Sequence, residues 1–160
     1  MTTIAANLEC MAADQRMTSG NAPARIHKIR RIGDSLYAGA GTSVLIVVFL
    51  DWLEAPKKNT GEARLRLYRL IPEDQRHEFE VLELSPSGLA LWDGWGAKIS
   101  LLDKSYAIGT GGLSAMQAMK RGVPPEEAVS ETFSLDECSG GTVECEYLLP
   151  PELRGKRKRG

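Results

Sequence analysis

Strand-type and helix-type hydrophobic periods are segregated along this chain, and their order is the strongest limit on its fold. Thr2 to Asn7 and Cys10 to Asp14 read as two short strands around an Asn7-Leu8-Glu9 turn. Gly20-Asn21-Ala22-Pro23 reads as a break. His27 to Ile32 alternates polar and apolar residues, and Gly33-Asp34-Ser35 turns it into Leu36-Tyr37-Ala38-Gly39, a second hairpin. An apolar block then runs to Leu53, with Thr42 or Ser43 as N-cap and Pro56 as stop. Its β-branched residues favour a strand, but its length and cap favour a helix buried on most sides, which is the reading adopted. Lys57 to Gly61 is a polar loop, and residues 62–76 fit either period imperfectly. Phe79 to Leu84 and Leu89 to Trp92 form a third hairpin around Ser85-Pro86-Ser87-Gly88. Extended material continues from Trp95 to Leu102 and from Tyr106 to Thr110. Ser114 to Arg121 then carries a helical stripe closed by Gly122, and Pro124-Pro125-Glu126-Glu127 opens a helix running to about Leu135. Thr142 to Leu148 is a last strand, and Pro150-Pro151 ends the fold. This order favours a layered α+β architecture over a doubly wound sheet.

Composition removes several function classes. A chain of 160 residues can bury a core without disulfide or metal staples, and its formal net charge of −1 argues against bulk nucleic-acid or membrane-surface binding. Cys10, Cys138 and Cys145 are an odd set without metal spacing. They read as reduced thiols of a cytoplasmic protein, with a disulfide involving Cys10 or Cys145 the lesser alternative. No basic-then-apolar leader opens the sequence, and Val44 to Leu50 is too short to span a bilayer, so neither secretion nor a membrane partner is expected. His27 and His77 are the only histidines, which disfavours a histidine-based triad or a histidine-rich metal site. Ala38 to Ser43 lacks the Gly-Lys-Ser/Thr ending of a phosphate loop.

The chemistry that survives starts at Met1-Thr2. Once Met1 is removed, Thr2 carries both a hydroxyl and a free α-amine, a nucleophile and a base on one residue. The amine's pKa of about 7.7–8.0 leaves a substantial fraction unprotonated near neutral pH.

Six stretches in order along the chain carry a family resemblance: Thr2-Thr3-Ile4, Ala13-Asp14, Lys28 to Ile32, Ala38-Gly39, Ala107 to Gly112, and Asp136 to Gly141. Together they resemble the proteasome β-subunit and HslV-type threonine peptidases of the N-terminal nucleophile hydrolase superfamily. The resemblance implies a four-layer αββα sandwich, two antiparallel sheets between helices, within a single domain of residues 1–150. Roughly 56–78 is short for the family's long second helix, so a reduced middle helical region is expected, and 151–160 is expected to be a disordered basic tail.

The implied activity is threonine-type endopeptidase, with Thr2 as nucleophile and Lys28 beside it, held charged and oriented by Asp14. Gly39 would offer its N–H to the oxyanion. Thr110, Asp136 and Ser139 would hydrogen-bond the Thr2 amine and order a water; many family members carry serine where Thr110 stands. Met17 and Tyr37 would flank the pocket for the residue before the scissile bond, and Thr18 and Gly41 would bind substrate backbone. The resemblance implies a polypeptide substrate, a homo-oligomeric ring and an ATP-dependent unfoldase partner, with no cofactor or metal. The alternatives are a non-catalytic assembly protein of the same fold and an amidase acting on a small amide. A tail-tethered nucleic-acid factor rests on residues 154–159 alone.

Overall fold

The computed structural model describes residues 2–19, 22–56, 60–135 and 139–154. β1 (Thr3–Asn7) and β2 (Cys10–Asp14) pair as an antiparallel hairpin, Ile4 opposite Ala13. Asn7 Oδ1 closes the turn by accepting from the N–H groups of Glu9 at 2.8 Å and Cys10 at 2.9 Å. Every residue of the two strands except Asn7 is buried. Both faces are covered, which is why the strands read as unbroken small and apolar runs rather than as alternation.

β3 (Arg16–Ser19) and β4 (Ala22–Arg25) then form a two-stranded ribbon, with Thr18 opposite Pro23. The expected break at Ala22-Pro23 is therefore a strand. All four residues of β4 are exposed, and proline is tolerated on such an edge because no ladder N–H is required there. β5 (Ile29–Ile32) and β6 (Ser35–Gly41) form the expected second hairpin, and α1 (Ser43–Glu54) follows with Thr42 as N-cap. The Thr42 hydroxyl donates to Glu78 Oε2 at 3.1 Å, so the cap position ties α1 to the segment before the next sheet strand.

α2 (Thr60–Leu70) occupies part of what the sequence suggested as loop and ambiguous chain. Only Ala63 and Leu67 of this helix are buried, one narrow stripe on a charged surface, and so its period was weak. β7 (Phe79–Ser85), β8 (Gly88–Trp92) and β9 (Lys98–Ser100) complete a five-stranded antiparallel sheet in the order β5-β6-β7-β8-β9. β10 (Ser105–Gly109) returns to pair with β1. α3 (Gly112–Lys120) and α4 (Pro125–Thr132) follow, then β11 (Val143–Tyr147), which pairs with β2. The second sheet thus runs β10-β1-β2-β11. Regular structure does not end at Pro150-Pro151, where the fold was expected to stop: a short α5 (Pro151–Arg154) follows, and the rest of the expected tail, 155–160, lies outside the described residues.

Three apolar clusters hold these pieces. Ile4, Met11, Leu36, Ala38, Leu82 and Leu84 interdigitate between the two sheets. Ala5, Ala12 and Ala107 meet Ala115, Ala118 and Val129 of α3 and α4, and their small side chains let helix backbones approach the strands closely. On the outer face of the five-stranded sheet, Phe49 of α1 stacks against Trp52 at 5.3 Å and Phe79 at 5.5 Å between ring centroids, with Leu67 of α2 in the same cluster. The result is an α+β architecture of antiparallel sheets with helices packed on them. Among the described residues no helix is long and apolar enough to cross a membrane.

Candidate active site at Thr2

Thr2 stands one residue before β1, half-buried. Its carbonyl accepts the Thr110 N–H at 3.0 Å, extending the β1–β10 ladder past the Thr3–Gly109 pair. Gly109 makes this possible. Its φ of +89° is in the region that disfavours a side chain, and a Cβ there would lie 1.8 Å from the Thr2 carbonyl oxygen. Gly109→Ala is therefore expected to displace Thr2 and to cost about 3 kcal/mol or more, read as a drop in denaturant midpoint. A midpoint within experimental error of the parent would contradict this packing.

The hydroxyl of Thr2 meets Lys28, which lies just ahead of β5. Lys28 Nζ donates to Thr2 Oγ1 at 2.6 Å and to both carboxylate oxygens of Asp14 at 3.1 Å. The side chains are 7% exposed for Lys28 and 0% for Asp14, so this is a buried ion pair at the end of β2. Burial pushes the Lys28 ammonium below the usual lysine range, while the charge and hydrogen bonds of Asp14 and the charge of Glu144 pull it back up. Asp14 Oδ1 also accepts the Thr3 N–H at 2.8 Å, which fixes the backbone beside Thr2. An ammonium aimed at a hydroxyl oxygen favours its deprotonated form, and here it is oriented by a carboxylate with no exposure to water.

The remaining expected residues divide. Ser139 is buried before β11, and its Oγ lies 2.6 Å from Thr3 Oγ1, one residue beyond the position expected for it. Thr110 donates its backbone N–H to the Thr2 carbonyl, a contact additional to the hydroxyl role expected of it. Asp136 lies outside the described residues. Gly39, Gly41, Met17 and Thr18 line, with Thr2 and Lys28, a cavity of about 380 Å³. A side chain at position 39 would enter it, since a Cβ would stand 2.5 Å from Ile46 Cγ2. A wider cleft of about 610 Å³ also includes Thr2 and Gly41, together with Thr110 and Glu80. Burial raises the Glu80 carboxyl, opposed by a hydrogen bond from the Gly109 backbone.

Tyr37 does not line the cavity. It lies two residues before Gly39 on the same face of β6, about 7 Å away, and packs into the cluster under α1. It sits opposite Glu83, and burial together with that carboxylate pushes its phenol up to about 12. The cavity wall comes instead from Ile46, Val47 and Leu50 of α1. Sequence reasoning missed these three, along with Thr3 and Glu144. The breadth of the apolar face of α1 was a usable signal for the first group. Glu144 carried none, because its partners are more than a hundred residues away.

No protein-family model and no curated protein matches this sequence. Solved structures do. The Thiobacillus denitrificans protein BPH is similar at a TM-score of 0.69 and 21% identity, over 93% of this chain and 98% of that one. BPH in complex with epoxomicin is similar at 0.65 and 18%, over 93% and 99%. HslV from Trypanosoma brucei is similar at 0.65 and 21%, over 91% and 98%. These are likenesses of fold, and the fold is the proteasome-β/HslV type implied by the six sequence stretches.

Proposed function

We propose that this protein is a threonine endopeptidase whose nucleophile is Thr2 after removal of Met1. The observation that carries the reading is the 2.6 Å contact of Lys28 Nζ with Thr2 Oγ1, backed by a fully buried Asp14. In the proposed reaction Thr2 Oγ attacks a peptide carbonyl as its proton passes to the Thr2 α-amine. The Gly39 N–H receives the oxyanion, and collapse of the intermediate breaks the C–N bond while the α-ammonium protonates the leaving amine. Water, deprotonated by the same α-amine, then attacks the acyl-ester, and the acid product leaves with Thr2 restored. The protonated Lys28 repels a second positive charge next to it, which keeps the α-amine free to act as base. With Met1 attached, that nitrogen is an amide and the cycle cannot start.

Likeness of fold to HslV supports self-assembly into a ring with the sites enclosed. The four-layer αββα domain, the cytoplasmic location and an ATP-dependent unfoldase partner are part of the same proposal and rest on the resemblance of the six sequence stretches alone. Sedimentation would show a multiple of the protomer mass, and a monomer at micromolar concentration would count against the ring.

The test of the central reading pairs intact mass with turnover. Protein whose mass shows loss of Met1 should hydrolyse peptides and gain one equivalent of epoxomicin, and protein retaining Met1 should do neither. Processed protein that is inert to both contradicts the proposal. The pH profile follows from the same groups. kcat/KM should be bell-shaped, falling on the acid side as the Thr2 amine protonates and on the alkaline side as Lys28 loses its proton. Burial lowers the Lys28 pKa, so the alkaline limb should lie below that of an ordinary lysine at about 10.4. A profile flat to pH 11, on the order of half a unit beyond that ordinary value, would exclude Lys28 from the rate-determining chemistry.

A further inference from the structure

Lys28 is not held by a sheet ladder. Residues 26–28 lie between β4 and β5; the Ile26 N–H still donates to the Gln15 carbonyl at 2.9 Å, but Lys28 itself lies outside both strands. A carboxylate takes over the ladder's role. Glu144, on β11 at the edge of the other sheet, is 10% exposed at its side chain and reaches across to this connector. Its Oε1 accepts the consecutive N–H groups of Lys28 and of Ile29, the latter at 3.1 Å. Its Oε2 pairs with His27 Nδ1 at 3.0 Å. Three successive residues are thus clamped by one side chain, and the middle of the clamp's grip is the residue whose Nζ touches Thr2.

We infer that Glu144 is a positioning residue for the Thr2 site, holding the Lys28 backbone so that its ammonium bridges Thr2 and Asp14. The inference rests on the reading of Thr2 as nucleophile. A charge-assisted pair of N–H bonds is directional and strong, and a shift of about 1 Å in a group beside the reacting atoms costs about 10²-fold in rate. Glu144 also acts through its charge. The charged groups around Lys28 are Asp14 of β2 and Glu144 of β11, with Arg16, His27 and Arg30 lining the same cavity. The two carboxylates favour the ammonium, so neutralising Glu144 lowers the pH at which Lys28 gives up its proton.

Glu144→Gln and Glu144→Ala separate tether from charge in Met1-processed protein. Glutamine keeps an oxygen acceptor and loses the charge: kcat at the optimum is expected within about threefold of the parent, with the alkaline limb of kcat moved to lower pH. Alanine loses both: kcat is expected to fall about 10²-fold with KM within about twofold. A purely architectural Glu144 would change the melting temperature but neither the pH profile nor kcat of the folded protein, and that result would overturn the inference. An alkaline limb unmoved in Glu144→Gln would overturn it too, even if Glu144→Ala fails to fold. Should the parent protein hydrolyse no peptide, the nucleophile reading fails by itself. The tether is then judged by 15N-lysine NMR of the Lys28 Nζ. A lower titration midpoint in Glu144→Gln supports the charge role, and a further change of the Nζ signal in Glu144→Ala supports the tether; a signal and midpoint unchanged in both variants overturn the inference.

Discussion

Thr2→Ala is expected to abolish peptide hydrolysis and epoxomicin labelling while leaving the fold unchanged. The substitution removes Oγ1, the atom that Lys28 Nζ approaches to 2.6 Å, but leaves the backbone of residue 2 where it is. The Thr110 N–H still finds the carbonyl of residue 2, and Lys28 still finds Asp14. Loss of one half-buried hydroxyl whose partner stays otherwise satisfied costs about 1 kcal/mol. The catalytic cost is of another order. Deleting a nucleophile that works with a paired base removes on the order of 10⁶ in kcat, because the remaining groups then have no covalent step to assist. Thr2→Ser keeps the oxygen and should retain turnover. Peptide hydrolysis persisting in Thr2→Ala at more than trace level would remove Thr2 from the mechanism.

The second large effect is thermodynamic as well as catalytic. Lys28→Met leaves the carboxylate of Asp14, fully buried, facing an apolar chain. Breaking a buried pair by removing one partner costs about 3–5 kcal/mol, far more than the pair's net worth. The stranded carboxylate keeps one hydrogen bond, from the Thr3 N–H, which is too little to replace water. Lys28→Met/Asp14→Asn should therefore recover most of the lost stability, since the buried group is then neutral, and recover none of the activity. Chemical denaturation of the parent, the two single variants and the double variant closes this cycle. If Lys28→Met alone unfolds at the parent's midpoint, the pair is not the buried unit described. If the double variant regains turnover, Lys28 has no part in activating Thr2.

The first hairpin was legible from residues close in sequence, because the Asn7 turn and the small apolar strands encode their own pairing. The same holds for the third hairpin and for α1, whose cap and stop residues flank a run of helical length. The β3–β4 ribbon was not, because an exposed two-stranded edge tolerates Pro23 and needs no apolar alternation. α2 was obscured by a buried stripe only two side chains wide. In the candidate site, Thr2, Asp14, Lys28 and Gly39 were legible only through the register of several weak stretches with a known family. Lys28 alone reads as an exposed lysine beside Arg30 and Arg31. Tyr37 was set beside the pocket by the resemblance, through its register with Gly39, and register gives the face a side chain is on but not how deep it lies. The packing against Glu83 and α1 set that depth.

The sequence by itself determined the first, second and third hairpins it read, helices α1, α3 and α4, and the presence of a hydroxyl that can share a residue with a free amine, since each depends on neighbours a few positions apart. Only the tertiary structure decided that Lys28 is 7% rather than fully exposed, that its ammonium rests on Thr2, that α1 walls the cavity, and that Glu144 clamps the connector. Those contacts join segments far apart in sequence that the two sheets and α1 bring together. They exist because the inter-sheet core fixes the separation of β2, β5 and β11, and among the described residues no buried side-chain nitrogen or oxygen is left without a hydrogen-bond partner.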